Sequence, residues 1–266
     1  MSVTTIKIGA LEYLTAEGIT VPHCFTTRLG GVSQGVFDSM NIAVKEGEAE
    51  ENVERNLSIL ADALDFRLEN LVCSHQTHSD IIRVVTKEDH LGIFHRDYPE
   101  CDGLVTADPG VALMIYTADC TPLLFHDPVT GAVGAAHAGW RGTAADIGGK
   151  TVAAMVAAFG CDPRNIRAAI GPNIGQCCFE TDGEVPEAML AAFGNDAGPF
   201  IRPVNDKYYV NLKEINALAL RRAGVEHIEI STDCTMCRPD RYWSHRYTRG
   251  QRGSQGAVIL CQGVEK

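Results

Sequence analysis

Between Glu51 and Leu64 the apolar residues Val53, Leu57, Leu60 and Leu64 recur at helical spacing with charged residues between them, which predicts an amphipathic helix. Val111 to Tyr116 is a continuous apolar run of strand length. Pro122 to Phe125 and Ala132 to Ala136 read as two further strands. The turn residues Asp127, Pro128, Thr130 and Gly131 between them predict a hairpin. Thr143 to Phe159 reads as a helix with Ile147, Val152, Met155 and Phe159 toward one side, closed by Gly160. Gly148 and Gly149 inside it each cost about 1 kcal/mol relative to alanine. A close approach to another backbone accounts for them, or else a break in the helix. Asn211 to Ala223 is a further helix, with Asn211 as cap and Glu214 three residues on, as a capping box requires. His227 to Ser231 reads as the next strand.

The strands are separated by very different intervals, which does not suit a regular doubly wound repeat. The pattern predicts an α+β fold with mixed β-sheets layered with helices. No repeat, low-complexity stretch or linker rich in Pro, Gly or Ser interrupts the chain, so residues 1–266 are expected to form one domain.

Composition supports a sizeable core, since 45% of residues are hydrophobic. The 23 basic and 34 acidic residues leave a net charge of −11. Such a surface repels phosphate backbones and argues against nucleic-acid binding, but a few arginines in a pocket can still hold a small anion. Met1 to Ile19 shows no basic segment followed by an apolar core. The longest apolar stretch, Val111 to Phe125, is interrupted by Thr117, Asp119 and Thr121, so no membrane span is expected. These features predict a soluble, cytoplasmic protein. The ten cysteines are read as reduced thiols, because the chain is no small secreted scaffold and adjacent Cys177 and Cys178 are poorly placed to bridge each other. Cys234 and Cys237 form a lone Cys-x-x-Cys, read as buried thiols in preference to a structural zinc site.

Three segments place reactive side chains at element ends: Ser74 to His78, Thr117 to Pro122, and Ala136 to Gly142. Cys120 precedes the first strand of the expected hairpin and His137 ends the second, so the two should lie side by side. His78 would complete a facial set. Two imidazoles and one thiolate suit zinc and leave its fourth tetrahedral position open, as in catalytic sites where bound water is acidified. From spacing alone the signal is weak, and ordinary buried or surface roles are the commoner reading of the same residues. They also fit a cysteine hydrolase with Cys120 as nucleophile and His137 as base.

Several short motifs run in one order along the chain: His23-Cys24-Phe25-Thr26-Thr27-Arg28, Gly30-Gly31-Val32-Ser33, Gln76-Thr77-His78, Cys101-Asp102-Gly103-Leu104-Val105-Thr106, Thr117-Ala118-Asp119-Cys120 and His137-Ala138-Gly139-Trp140-Arg141-Gly142. Ile170-Gly171-Pro172, Cys177-Cys178-Phe179-Glu180, Cys234-Thr235, Arg246 and Arg252-Gly253 follow. With these the chain resembles, over nearly its whole length, the laccase-domain proteins, also described as multicopper polyphenol oxidases or peptidoglycan editing factor homologues. The resemblance implies one zinc ion held by His78, Cys120 and His137, with Cys120 and His137 at the catalytic centre. It also implies phosphorolysis of adenosine, inosine, guanosine and methylthioadenosine, and deamination of adenosine. The implied fold is related to toxin-type cysteine hydrolases.

Phosphorolysis needs a cationic pocket. Arg28, in a glycine-containing loop, and Arg252 are the candidates, since a guanidinium fork matches phosphate oxygens. Trp140 is either packing or a wall for a flat purine. Two features depart from the family pattern. Val44 to Glu48 lacks a His-Val-Gly-Asp sequence, and His75 is an extra histidine that could compete with His78. Multicopper oxidase chemistry requires on the order of ten histidines with His-x-His pairs. This chain has nine histidines and no such pair, so copper is expected only as an in vitro substitute. A cell-wall editing role without nucleoside turnover is the non-enzymatic alternative.

Overall fold

In the computed structural model, which describes residues 3–94 and 99–264, strands and helices alternate irregularly. In chain order they are β1 (Val3–Ile8), β2 (Leu11–Ala16), β3 (His23–Thr26), α1 (Glu50–Leu64), β4 (Leu71–Val72), β5 (Ile82–Val84), β6 (Gly103–Thr106), β7 (Ala112–Thr117), β8 (Thr121–His126) and β9 (Val133–Ala138). There follow α2 (Trp140–Ala144), α3 (Ile147–Phe159), β10 (Arg167–Ile170), β11 (Glu180–Thr181), α4 (Glu184–Phe193), β12 (Ile201–Val204), β13 (Lys207–Val210), α5 (Leu212–Arg222), β14 (His227–Ile230), α6 (His245–Thr248) and β15 (Gln255–Leu260).

One six-stranded sheet runs β1-β2-β3-β15-β7-β4 and a second runs β14-β10-β8-β9-β6-β5, with a small third sheet β11-β13-β12. The large sheets are mixed: β4–β7, β5–β6 and β10–β14 pair in parallel, and their other neighbours are antiparallel. The result is the α+β, single-domain architecture that the sequence pattern predicts.

The layering follows from the period of two along each strand. On β7, Leu113 and Ile115 face the core between the sheets, while Ala112 and Met114 face the outer core beneath α1. On β15, Ala257 and Ile259 point inward, and Val258 and Leu260 join the outer cluster. On the second sheet, Leu124 and Ala135 meet the first sheet, and Leu123, Phe125 and Ala136 pack against α3 and α5. Both faces of each central strand are therefore buried, which is why these strands read as unbroken apolar runs. The layers are α1, sheet, sheet, then α3 with α5. A fourth cluster, with Met189, Phe193, Val210 and Ile215, seats α4 and the small sheet against α5.

The expected helices at α1 and α5 are present, and Asn211 caps α5 by accepting the Glu214 N–H at 3.3 Å. The expected helix over Thr143–Phe159 is two helices. The chain breaks at Asp146, which adopts a left-handed conformation (φ 58°) and whose carboxylate accepts the Gly149 N–H at 3.0 Å. A Cβ on Gly149 would lie 2.5 Å from that carboxylate, and one on Gly148 would lie 3.3 Å from Leu220 of α5. The two glycines thus answer to a cap and a neighbouring side chain, not to another backbone. No helix among the described residues is long and apolar enough to cross a membrane.

Candidate metal centre and active cleft

The β8–β9 hairpin delivers two of the three expected ligands. Its register sets His137 opposite Pro122 and Ala138 opposite Thr121, so Cys120, one residue earlier, emerges beside them. The third, His78, arrives on the loop after β4. Its Nε2 lies 3.8 Å from Cys120 Sγ, and its ring meets that of His137 edge-on with centroids 4.9 Å apart. The donor atoms of His78, Cys120 and His137 all fall within 4.8 Å of one another, a set that fits a metal ion. His75 does not join them. It is exposed, and its main chain bridges to Glu100.

His78 sits at φ 61°, a conformation that costs a non-glycine residue on the order of 1 kcal/mol or more. Asp102, wholly buried, holds it there. Its carboxylate accepts the main-chain N–H groups of Thr77 (3.0 Å), His78 (3.1 Å) and Ser79 (2.7 Å) and the Ser79 hydroxyl (2.7 Å). The same carboxylate pairs with His137 Nδ1 at 2.7 Å, and the Asp102 carbonyl accepts the His137 N–H at 2.7 Å. With Nδ1 committed to Asp102, Nε2 of His137 is the nitrogen left for a metal. Gln76 positions the start of the loop by exchanging two hydrogen bonds with the main chain of Tyr116, at 2.8 and 2.6 Å. Gly139 completes the fit, because a Cβ there would lie 2.7 Å from His78 Cδ2 and 3.4 Å from Cys120 Sγ.

The electrostatics match a ligand set. Burial alone would raise the Cys120 thiol, but the charge of His137 and hydrogen bonds from both histidines bring it down to about 6. Burial would lower His137, yet Cys120 and Asp102 raise it to about 9. Burial also opposes ionisation of Asp102, and its bonds to His137 and Ser79 overcome this and hold it at about 2. Without metal the centre is therefore a thiolate beside an imidazolium that is anchored by a carboxylate.

The three residues lie in a cleft of about 760 Å³ whose apolar walls include Phe94, Tyr116, Ile174 and Phe179. Lys45, Arg246 and Arg252 also line it, against one carboxylate, Asp119, among the described residues, so the described lining is cationic on an acidic protein. Asp119 is already engaged, accepting from Thr235 Oγ1 at 2.6 Å and from the Arg246 N–H at 2.7 Å. Arg252 donates from Nη1 to Gly253 O (2.9 Å) and Ser254 Oγ (3.0 Å), while its buried Nε has no partner among the described residues. Burial lowers its pKa, opposed by Asp119 and Cys120. Arg28 is not among the lining residues. Its guanidinium donates to the carbonyls of Asp38 and Pro239 and stacks 3.9 Å over Trp243. Trp140 packs in the cluster around α4 with Arg141 over its ring, outside the cleft lining.

A family model described as multi-copper polyphenol oxidoreductase laccase matches residues 22–262. The chain belongs to that family. It is 39% identical over 241 residues to "Purine nucleoside phosphorylase YlmD" of Geobacillus stearothermophilus, covering 88% of each chain. It is 34% identical over 230 residues to "Purine nucleoside phosphorylase YfiH" of Escherichia coli, covering 85% of this chain and 88% of that one. Among solved structures, YlmD from Geobacillus stearothermophilus superposes with a TM-score of 0.90 at 36% identity, over 98% of this chain and 99% of the other. The Bacillus licheniformis protein YfiH gives 0.89 at 35% identity, over 97% and 98%.

Two contributors to the site, and a separate cysteine cluster outside it, escaped sequence reasoning. Asp102 carries a motif but no spacing signal for its role, since its partners come from two other segments. Lys45 sits in the very loop that departs from the family pattern. Cys177, Cys178, Cys234 and Cys237 form a second cluster with sulfurs within 4.8 Å of one another, which neither sequence pair announces alone.

Proposed function

We propose that this protein is a zinc-dependent purine nucleoside phosphorylase whose metal is held by His78, Cys120 and His137. The reading is carried by one observation: an open two-histidine, one-cysteine donor set and an excess of cations share a single cleft. The names of its relatives point the same way. A volume of about 760 Å³ suits a nucleoside with a phosphate, within the range of small-ligand pockets.

Zinc in such a set supplies a Lewis acid with a vacant coordination position. The chain's own residues do the rest. Asp102 keeps the proton on His137 Nδ1 and so keeps Nε2 a ligand. Arg252, with Lys45 and Arg246, gathers phosphate, whose oxygen attacks C1′ of the sugar as the bond to N9 of the base breaks, giving a sugar 1-phosphate and the free purine. Tyr116, Ile174 and Phe179 exclude water and flank the base. Arg28 acts at a distance, bracing the Asp38 and Pro239 segments. Adenosine, inosine, guanosine and methylthioadenosine are the proposed substrates, with hydrolytic deamination of adenosine as a second reaction.

A second reading draws on the line Cys120, His137, Asp102, which has the residue types of a cysteine-hydrolase triad, with His137 Nδ1 on Asp102 and Cys120 within 4.8 Å of His137, and would relate the fold to toxin-type hydrolases. Polyphenol oxidation finds little support. The two clusters of metal-binding type among the described residues are one His₂Cys and one Cys₄, neither a multicopper arrangement.

The test is incubation of wild-type and Cys120→Ala protein with inosine and adenosine, with and without phosphate. Phosphate-dependent release of hypoxanthine and adenine by the wild type, lost in the variant, is expected. Undiminished turnover by the variant rules the proposal out.

A further inference from the structure

The four cysteines outside the cleft come from two distant stretches. Cys177 and Cys178 follow β10, and Cys234 and Cys237 follow β14, the strand paired in parallel with β10. The parallel pairing carries both segments out of the sheet at the same end, and an isolated bridge between Asn173 and Cys234 keeps them together beyond it. Cys177 Sγ and Cys178 Sγ lie 3.6 and 3.4 Å from Cys237 Sγ, and all four sulfurs fall within 4.8 Å of one another. Zinc–sulfur bonds of about 2.3 Å place tetrahedral sulfurs roughly 3.8 Å apart, whereas a disulfide requires about 2.05 Å. All ten cysteines are free thiols.

Two neighbours fit a thiolate centre. The Gly175 N–H donates to Cys234 Sγ at 3.1 Å, and a Cβ on Gly175 would lie 3.2 Å from Cys177 Sγ and 3.1 Å from Cys234 Cβ. Lys213 is buried, its Nζ donates to the Asp233 carbonyl at 2.6 Å, and no carboxylate forms an ion pair with it among the described residues. A buried ammonium is stabilised by negative charge nearby, which Asp233 and Glu214 supply in part. Zinc with four thiolates carries a net charge of −2 and would add to it.

We propose that Cys177, Cys178, Cys234 and Cys237 bind a second, structural zinc ion, independent of the nucleoside reading. Four protein sulfurs close the coordination sphere, so this ion does no chemistry on substrate. Its role is to fasten two walls of the cleft. Ile174 and Phe179 belong to the first cysteine segment and line the cleft. From the second, Thr235 donates to Asp119, the residue before Cys120. Ile174 also donates its N–H to the Asp119 carbonyl at 3.0 Å. Both cysteine segments therefore converge on the loop that presents Cys120.

The experiment uses the full chain, metal-stripped under reducing conditions and reloaded with zinc or with cobalt alone. In a Cys120→Ala background, which disables the other site, one equivalent of metal per chain is expected to remain. Its cobalt form should show the intense thiolate-to-metal absorption of four sulfurs. Adding Cys237→Ser should remove that equivalent. On unvaried protein, zinc should shield the four cysteines from alkylation as read by peptide mapping, and chelator should release them. Unchanged metal content on adding Cys237→Ser, alkylation indifferent to zinc, or a disulfide among these four in freshly reduced protein would overturn the assignment. None of these readouts depends on nucleoside turnover.

Discussion

Asp102 and His137 are joined by a 2.7 Å hydrogen bond between a carboxylate oxygen and Nδ1, and that same carboxylate receives three successive main-chain N–H groups from Thr77 to Ser79. One buried side chain therefore fixes two of the three donors, one through its ring and the other through its loop. On the proposed reading, the metal centre depends on Asp102 as well as on its three donors.

Asp102→Asn retains the size of the side chain but replaces an acceptor with an amide N–H₂ that faces donors. Loss of an orienting partner of this kind lowers metal affinity by about 10- to 100-fold. Zinc affinity measured by competition with a chromophoric chelator is expected to fall by that factor, with the Cys₄ site unaffected. The variant should also unfold at lower denaturant, since buried N–H groups lose their acceptor at about 1–3 kcal/mol each.

Gly139→Ala tests the closeness of the ligand packing. The added methyl would meet His78 Cδ2 at 2.7 Å, so the imidazole has to shift from its place beside Cys120. Zinc affinity at the His₂Cys site is expected to drop at least tenfold while the circular dichroism spectrum stays unchanged.

How far the molecule was legible in its sequence depends on the range of the signal. The helices α1 and α5 and the β8–β9 hairpin carry their periodicity and caps locally, so Leu57, Asn211 and Gly131 announce them. The side-by-side arrangement of Cys120 and His137 follows from that hairpin. The break at Asp146 was hidden because Thr143 to Phe159 keeps a helical apolar pattern across it, and a left-handed aspartate has no pattern signature. Arg28 and Arg252 look alike in sequence, each within two residues of a glycine. Only tertiary contacts separate the one stacked on Trp243 from the one lining the cleft. The Cys₄ cluster needed the parallel pairing of β10 with β14, a long-range fact.

Metal-free protein should expose a reactive thiolate. An ordinary thiol ionises near 8.5, whereas Cys120 is held at about 6, so its thiolate is fully formed above that pH and is lost as pH falls through it. Iodoacetamide labelling of the Cys120 peptide in chelator-treated protein is expected to rise with a midpoint near 6. Added zinc should suppress it. A midpoint near 8.5 would contradict the charge network around His137.

Arg252→Gln removes the buried guanidinium while leaving the metal donors in place. A hydrogen bond to a charged group contributes about 2 kcal/mol, roughly 30-fold in affinity. The KM for phosphate is expected to rise by about that factor, with the KM for the nucleoside changed far less. Arg28→Gln should leave the KM for phosphate nearly unchanged, because its bonds go to Asp38 and Pro239.

The most direct measurement is the rate of phosphate-dependent inosine cleavage before and after removal of metal, with zinc content determined on the same samples. The account predicts that cleavage disappears with the metal and returns when zinc is restored, and that Cys120→Ala protein cannot be rescued. Full activity in protein shown to be free of metal would contradict a zinc centre at His78, Cys120 and His137.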